Sequence, residues 1–254
     1  MRIIQTPRDA RALSARFSIT RTFLASFVAS CLSLGCVQTF GALAQQAYIK
    51  ATNTRTEFWQ PEYFGASVGI WGDTMVVGAP NESGDHGSAG AAYIYVRNGT
   101  SWTPQAYLKA SDSQLGYRFG SAVAIYSNTV VIGAPGVSDG QFGAAYVFVR
   151  NGAVWSEQAR LRPSNEGGDF GAAVALWNNT VVIGASTESS DGIGVNGSQT
   201  PYNTSLSGAA YIFERTGATW NQQAYLKASN AEADDEFGVA VGISGNTVVV
   251  GARG

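Results

Sequence analysis

The chain is expected to be all-β, a β-propeller of four-stranded antiparallel blades with three complete blades and a partial fourth, so an incomplete ring. Three observations lead there. Of 254 residues, 45% are apolar and 11% aromatic, but only 13% are charged, about half the usual charge. There are 31 glycines without a three-residue period, which excludes collagen and suits tight turns between short strands. Above all, one block recurs: FGASVGIWGDTMVVGAP at 64–80, FGSAVAIYSNTVVIGAP at 119–135, FGAAVALWNNTVVIGAS at 170–186 and FGVAVGISGNTVVVGAR at 237–253. The copies start 55, 51 and 67 residues apart, the period of blades built from four strands.

Each copy reads as strands A to D. Strand A alternates small and aliphatic residues, as at Val123 and Ile125, Val174 and Leu176, and Val241 and Ile243, which is the period of a two-faced strand. Gly72-Asp73, Ser127-Asn128, Asn178-Asn179 and Gly245-Asn246 then close A onto B as two-residue hairpin turns. Strand B is continuously apolar (Val130-Val131-Ile132), as for a strand buried on both sides. Strand C mixes aromatics and aliphatics (Tyr146 to Val149), and Asn98-Gly99, Asn151-Gly152 and Thr216-Gly217 turn it into D. Trp102, Trp155 and Trp220 each follow an arginine by five residues and are expected to pack between units. Strand D ends in QAYLKAS, QARLRPS and QAYLKAS, with a further copy, QAYIKAT, from Gln46. The three lysines, Lys50, Lys109 and Lys227, hold one repeat position.

The blades are expected at about 64–111, 119–163, 170–229 and 237–254, within a domain of 45–254. Residues 1–44 read as a signal peptide. Five arginines precede an apolar run from Phe23, and Ala42-Leu43-Ala44 follows. Val28-Ala29-Ser30-Cys31 also resembles a lipid-attachment box. Residues 45–254 keep 11 of the 16 basic residues and 17 of the 18 acids, a net charge of −6 against −2 for the whole chain. Both cysteines fall in the signal, so the remainder needs no disulfide in an oxidising compartment. The expected location is secreted, extracellular or in the cell envelope, without membrane insertion after cleavage.

In a meander the B–C and D–A loops share one face, and 14 of the 17 acids fall in those loops. Variable loops on a rigid scaffold are where binding usually resides. The candidate binding face is Glu82, Asp85, Asp112, Asp139, Asp169, Asp191, Asp234 and Asp235, with a protein or glycan as partner. The negative sign argues against nucleic acid. The insert 187–207, rich in Ser, Gly and Asn, is expected to be flexible. His86 is the single histidine, and no catalytic motif accompanies it; the chain is read as non-catalytic.

The repeated FGxAVAI and VVIGAP phrases resemble FG-GAP repeats, the family that includes the N-terminal propeller of integrin α-subunits and many secreted bacterial proteins. The resemblance implies a ring, usually of seven blades, that serves adhesion and ligand recognition. In some members it also implies calcium held by an Asp-rich loop between A and B. Here only Trp71 to Thr74 separate Ile70 from Met75, and calcium wants six to eight oxygens. The calcium site is therefore not carried over, and no cofactor is expected. The fourth copy stops after B, and 46–51 supplies an orphan D strand, so further blades are expected beyond residue 254. The alternatives are a propeller accessory to a hydrolase encoded beyond residue 254, or a structural envelope protein.

Overall fold

The computed structural model describes residues 2–5, 45, 47–52, 62–83, 89–136, 142–200 and 204–254. Its strands are β1 (Arg2–Gln5), β2 (Ser67–Trp71), β3 (Thr74–Ala79), β4 (Ala91–Asn98), β5 (Ser101–Leu108), β6 (Ala122–Tyr126), β7 (Thr129–Ala134), β8 (Ala144–Asn151), β9 (Val154–Leu161), β10 (Ala173–Trp177), β11 (Thr180–Ala185), β12 (Ala209–Thr216), β13 (Thr219–Leu226), β14 (Ala240–Ser244) and β15 (Thr247–Gly251). Three four-stranded antiparallel sheets follow chain order: β2-β3-β4-β5, β6-β7-β8-β9 and β10-β11-β12-β13. They are the three complete blades the repeat predicts. The fourth sheet pairs β14 with β15 and adds β1 in parallel. A strand at Arg2–Gln5 was not expected, since residues 1–44 read as a signal peptide. Residues 6–44 lie outside the described residues.

The innermost strands β2, β6, β10 and β14 pack side by side, so the blades fan out from a common axis. The core lies between blades, not within one. One apolar cluster joins Val76 and Ile94 of the first blade to Phe119, Ile132 and Tyr146 of the second. The next joins Val131 and Val147 to Phe170 and Tyr211, and a third joins Val182 and Ile212 to Phe237 and Val250. A sheet buries its faces only against neighbours, so stability accumulates from blade-to-blade contacts. On the outer side of the first blade no such neighbour covers β2, and Val68 and Ile70 are exposed.

The repeated phrases prove to be contacts. In the three complete blades the phenylalanine of the FG pair packs edge-on against strand C of its own blade, as Phe119 does on Tyr146 at 5.4 Å and Phe170 on Tyr211 at 5.1 Å between ring centroids. The glycine after it meets the glycine of the preceding blade's GAP or GAS phrase. A side chain on Gly78, Gly133 or Gly184 would run into the carbonyl oxygen of Gly120, Gly171 or Gly238 respectively. Two backbones approach too closely there for any Cβ.

Trp155 and Trp220 pack between blades, as expected, and the structure adds their partners; Trp102 instead packs on the outer side of the first blade, beside residues 49–51. The C–D pairing shifts register at Ile94/Tyr95, Val147/Phe148 and Ile212/Phe213. The residues skipped in pairing are Gln105, Gln158 and Gln223. A bulge re-aims a side chain: Gln105 accepts the indole N–H of Trp155 at 2.9 Å, and Gln158 that of Trp220 at 3.0 Å, each from the following blade. The arginines five residues earlier act alongside. Arg150 donates to Asn128 Oδ1 in its own A–B turn and to Thr74 Oγ1 of the preceding blade. Arg215 does the same with Asn179 and Thr129.

Residues 47–52 pair with no strand among the described residues. They lie on the outer side of the first blade, where Ala51 and Ile49 pack near Tyr93 and Tyr95 and Tyr95 Oη donates to the Lys50 carbonyl at 2.9 Å. The expected orphan D strand thus lies against the first blade without joining β14–β15.

Candidate binding site

The B–C and D–A loops do share one face. They interlock through backbone bonds: Gly136 N–H to the Tyr117 carbonyl, Gly143 to Gly168, Asp234 to Ser205 and Glu236 to Leu206. This face is less acidic in fact than in sequence. Glu82 is 1% exposed and ion-paired with Lys109. Asp235 is buried, and its carboxylate accepts the Glu232 N–H at 2.7 Å. Asp112 accepts the Tyr146 hydroxyl and pairs with Arg160. Asp169 caps a turn, taking Ser186 Oγ at 2.8 Å and Thr187 N–H at 2.9 Å. Asp191 and Asp234 are exposed. Asp85 and Asp139 lie outside the described residues, as does His86. Loops that pack against blade edges bury some of their charges, and a buried charge must be paired.

The most buried polar cluster went unread in the sequence. Glu188 is 1% exposed. One oxygen accepts Asn165 Nδ2 at 2.9 Å and Ser190 N–H at 3.0 Å. The other accepts the Tyr225 hydroxyl at 3.1 Å and Lys227 Nζ at 2.9 Å. Glu82 and Glu188 each stand two residues after the proline or serine that ends the block, and Lys109 and Lys227 share one repeat position. A lysine and an acid recurring at fixed phases were the available signal. The second blade has Arg162 at the lysine position, and it donates to the Phe142 carbonyl at 3.1 Å.

The insert 187–207 is pinned over its described residues rather than flexible. Asn196 N–H donates to the Tyr225 carbonyl at 2.7 Å, and Lys227 N–H to the Gly194 carbonyl at 2.8 Å. Asn196 Oδ1 accepts the Tyr225 N–H at 2.9 Å. The insert thereby satisfies edge groups at the end of β13, which would otherwise lie open. Residues 201–203 lie outside the described residues. Where this loop meets the D–A loop of the second blade there is a polar cleft of about 80 Å³, lined in part by Asn165, Glu166, Thr187, Ser189 and Ser190.

Burial pushes the hydroxyls of Tyr146, Tyr211 and Tyr225 well above their ordinary range. Desolvation is the main cause, reinforced by Asp112 at Tyr146 and by Glu188 at the other two. A group whose folded pKa is raised contributes stability below its unfolded value, about 10. That contribution is lost as pH climbs above 10, because the folded state then holds protons the unfolded state has released. Thermal unfolding followed from about pH 8 to about pH 11 should show a flat melting temperature up to pH about 10 and a progressive fall beyond it. Tyr211→Phe should shallow that fall.

The opposite face carries the A–B turns. Each is two residues long, and Asp73, the single acid among them, is held by Arg97 at 2.8 Å. These turns do not fit a calcium ion, and among the described residues no group of three His, Cys, Asp or Glu side chains comes together. What the sequence reading missed here is aromatic. The last residues of β2, β6 and β10 are Trp71, Tyr126 and Trp177. Their rings stack in series, with centroids 4.2 Å apart and then 5.2 Å apart.

Radial blades around a common axis, with interlocked variable loops on one side and tight hairpins on the other, define an incomplete β-propeller scaffold. The repeats say which one. An FG-GAP repeat family model matches residues 54–95, 102–148, 155–213 and 220–254, and the chain belongs to that family. Two of the matched units, 102–148 and 155–213, each run from strand D of one blade through A, B and C of the next. The sequence repeat therefore straddles two blades and encodes the contact between them. A phage phi92 endosialidase is similar over 70% of this chain and 28% of its own length, at 14% identity and a TM-score of 0.41. No curated protein is significantly similar to the chain.

Proposed function

We propose that this chain is a non-catalytic, extracellular or cell-envelope binding module that engages a protein or glycan through its B–C and D–A loops. The observation that carries the reading is how those loops are fastened. The Glu82–Lys109 and Glu188–Lys227 pairs anchor the B–C loops of the first and third blades to the ends of their own D strands. Loops held this way form a preorganised surface, and preorganisation lowers the cost of binding. Glu166, Asp191, Glu232 and Asp234 stay exposed on it, and Glu166 lines the polar cleft. The basic signal-like segment and the absence of cysteine from 45–254 suit an exported protein.

The test is an array of cationic peptides and cationic amino-sugar oligosaccharides, probed with the wild-type chain and with a Glu166→Gln, Asp191→Asn, Asp234→Asn variant. The expected result is saturable binding that the variant weakens at least about tenfold. Binding unchanged by the three substitutions would remove the loop face from the proposal, and turnover of any array ligand would overturn the non-catalytic reading.

A further inference from the structure

We infer that the hairpin face holds a second site, a stacking platform for a neutral oligosaccharide made by Trp71, Tyr126 and Trp177. The inference rests on the binding-module reading but uses the other side of the scaffold. Two of these rings are open to solvent, with Trp71 42% and Trp177 36% exposed, and the three form one continuous strip. Exposed aromatics gathered in a patch mark an interaction site far more often than isolated ones do. Their polar tips are also unspent. The indole N–H groups of Trp71 and Trp177 and the hydroxyl of Tyr126 make no hydrogen bond among the described residues. Trp155 and Trp220, by contrast, both spend their N–H on a glutamine. The same chain thus holds two classes of tryptophan, one tied between blades and one left open at the ends of the innermost strands.

The surroundings select the occupant. Each ring is followed by a short polar turn: Gly72-Asp73, Ser127-Asn128 and Asn178-Asn179. Arg97 neutralises Asp73, while Arg150 and Arg215 donate to the neutral side chains of Asn128 and Asn179 and keep their charge. Those two guanidinium groups are tied back to the turns and lie over Trp155 and Trp220, so they are held away from the ring strip. Each turn is a two-residue hairpin fixed by its arginine, so the platform cannot reshape itself around a peptide. A strip three rings long is also far short of the roughly 1,200 Å² that a stable protein interface buries. What fits is a ligand with a flat C–H face and hydroxyls at its rim. The solvent-exposed surfaces of Trp71 and Trp177 take the sugar's C–H face, while the indole N–H groups, the Tyr126 hydroxyl and the turn side chains meet its hydroxyls.

The experiment titrates soluble neutral oligosaccharides (β-linked gluco-, manno-, xylo- and N-acetylglucosamine series) into the wild-type chain, reading tryptophan fluorescence and calorimetric heat. Trp71→Ala, Trp177→Ala and the double variant are run beside the loop-face triple variant, with melting temperatures as the folding control. The expected result is saturable binding with a fluorescence change. Each single variant should lose about tenfold in affinity, as hot-spot aromatics do, and the loop-face variant should lose none. Tyr126→Phe should retain stacking and lose only the hydroxyl's share. No binding by wild type, or binding unaffected in a folded Trp71→Ala, Trp177→Ala double variant, overturns the platform. If an oligosaccharide binds and only the loop-face variant loses it, the platform falls while the binding-module reading stands.

Discussion

Gly133→Ala is expected to destabilise the protein by about 3 kcal/mol, at the upper end for overpacking, and to loosen the second blade from the third. The added Cβ would overlap the Gly171 carbonyl oxygen. A backbone oxygen fixed by the Gly171 N–H to Gly184 carbonyl bond of the same segment cannot swing aside as a flexible side chain could. The third blade must therefore shift as a body, which opens the cluster that Val131, Phe170 and Tyr211 share. Gly184→Ala should behave alike against Gly238. Gly242 is the control. Nothing lies within 4 Å of a Cβ built there, and its φ is not left-handed. Gly242→Ala should be neutral or stabilising by up to about 1 kcal/mol through the unfolded chain. Urea unfolding of the three variants checks the set. Equal midpoints for Gly133→Ala and Gly242→Ala would contradict the glycine-to-glycine contact between blades.

The second large effect is expected at Lys227. Lys227→Met leaves Glu188 buried without its cation and should cost about 3–5 kcal/mol, the usual penalty for breaking one side of a buried pair. The Lys227→Met, Glu188→Gln double variant should recover much of that loss. A glutamine oxygen still accepts the Ser190 N–H, its amide nitrogen can donate to the Tyr225 hydroxyl oxygen, and it carries no charge to desolvate. Lys109→Met should cost less, because the Lys109 side chain is 24% exposed against 0% for Lys227, so the buried Glu82 carboxylate lies one side chain from water while Glu188 does not. Melting temperatures across these variants test the ranking. A Lys227→Met loss no greater than that of Lys109→Met would show that the pair does not anchor the loop over the third blade.

Strands, turns and blade order were legible because each rests on local chemistry repeated three or four times. Period-2 alternation marked β6 and β10, and an unbroken Val-Val-Ile run marked β7. The constant phase of Trp155 and Trp220 disclosed that they pack between blades. Their glutamine partners were not legible, because they depend on a bulge that no local preference announces. The acidic loops were placed on the right face, yet Glu82 and Asp235 are buried in it. Composition tells which loop a carboxylate is on, and only packing tells whether water reaches it. The insert at 187–207 looked like a linker by its Ser, Gly and Asn content. It is ordered where described because it bonds to the backbone at the end of β13, a partner distant in sequence.

Trp71, Tyr126 and Trp177 were hidden for a related reason. An aromatic at the end of a strand reads as core until the blades are set around their axis, and that arrangement leaves Trp71 and Trp177 open to solvent. By itself the sequence determined the repeat, the four-stranded unit and the family, since these follow from short-range periodicity and turn chemistry. The tertiary structure decided which charges are buried, which glycines touch and which aromatics stay exposed. Those outcomes depend on one blade lying against the next, and no single repeat contains that contact.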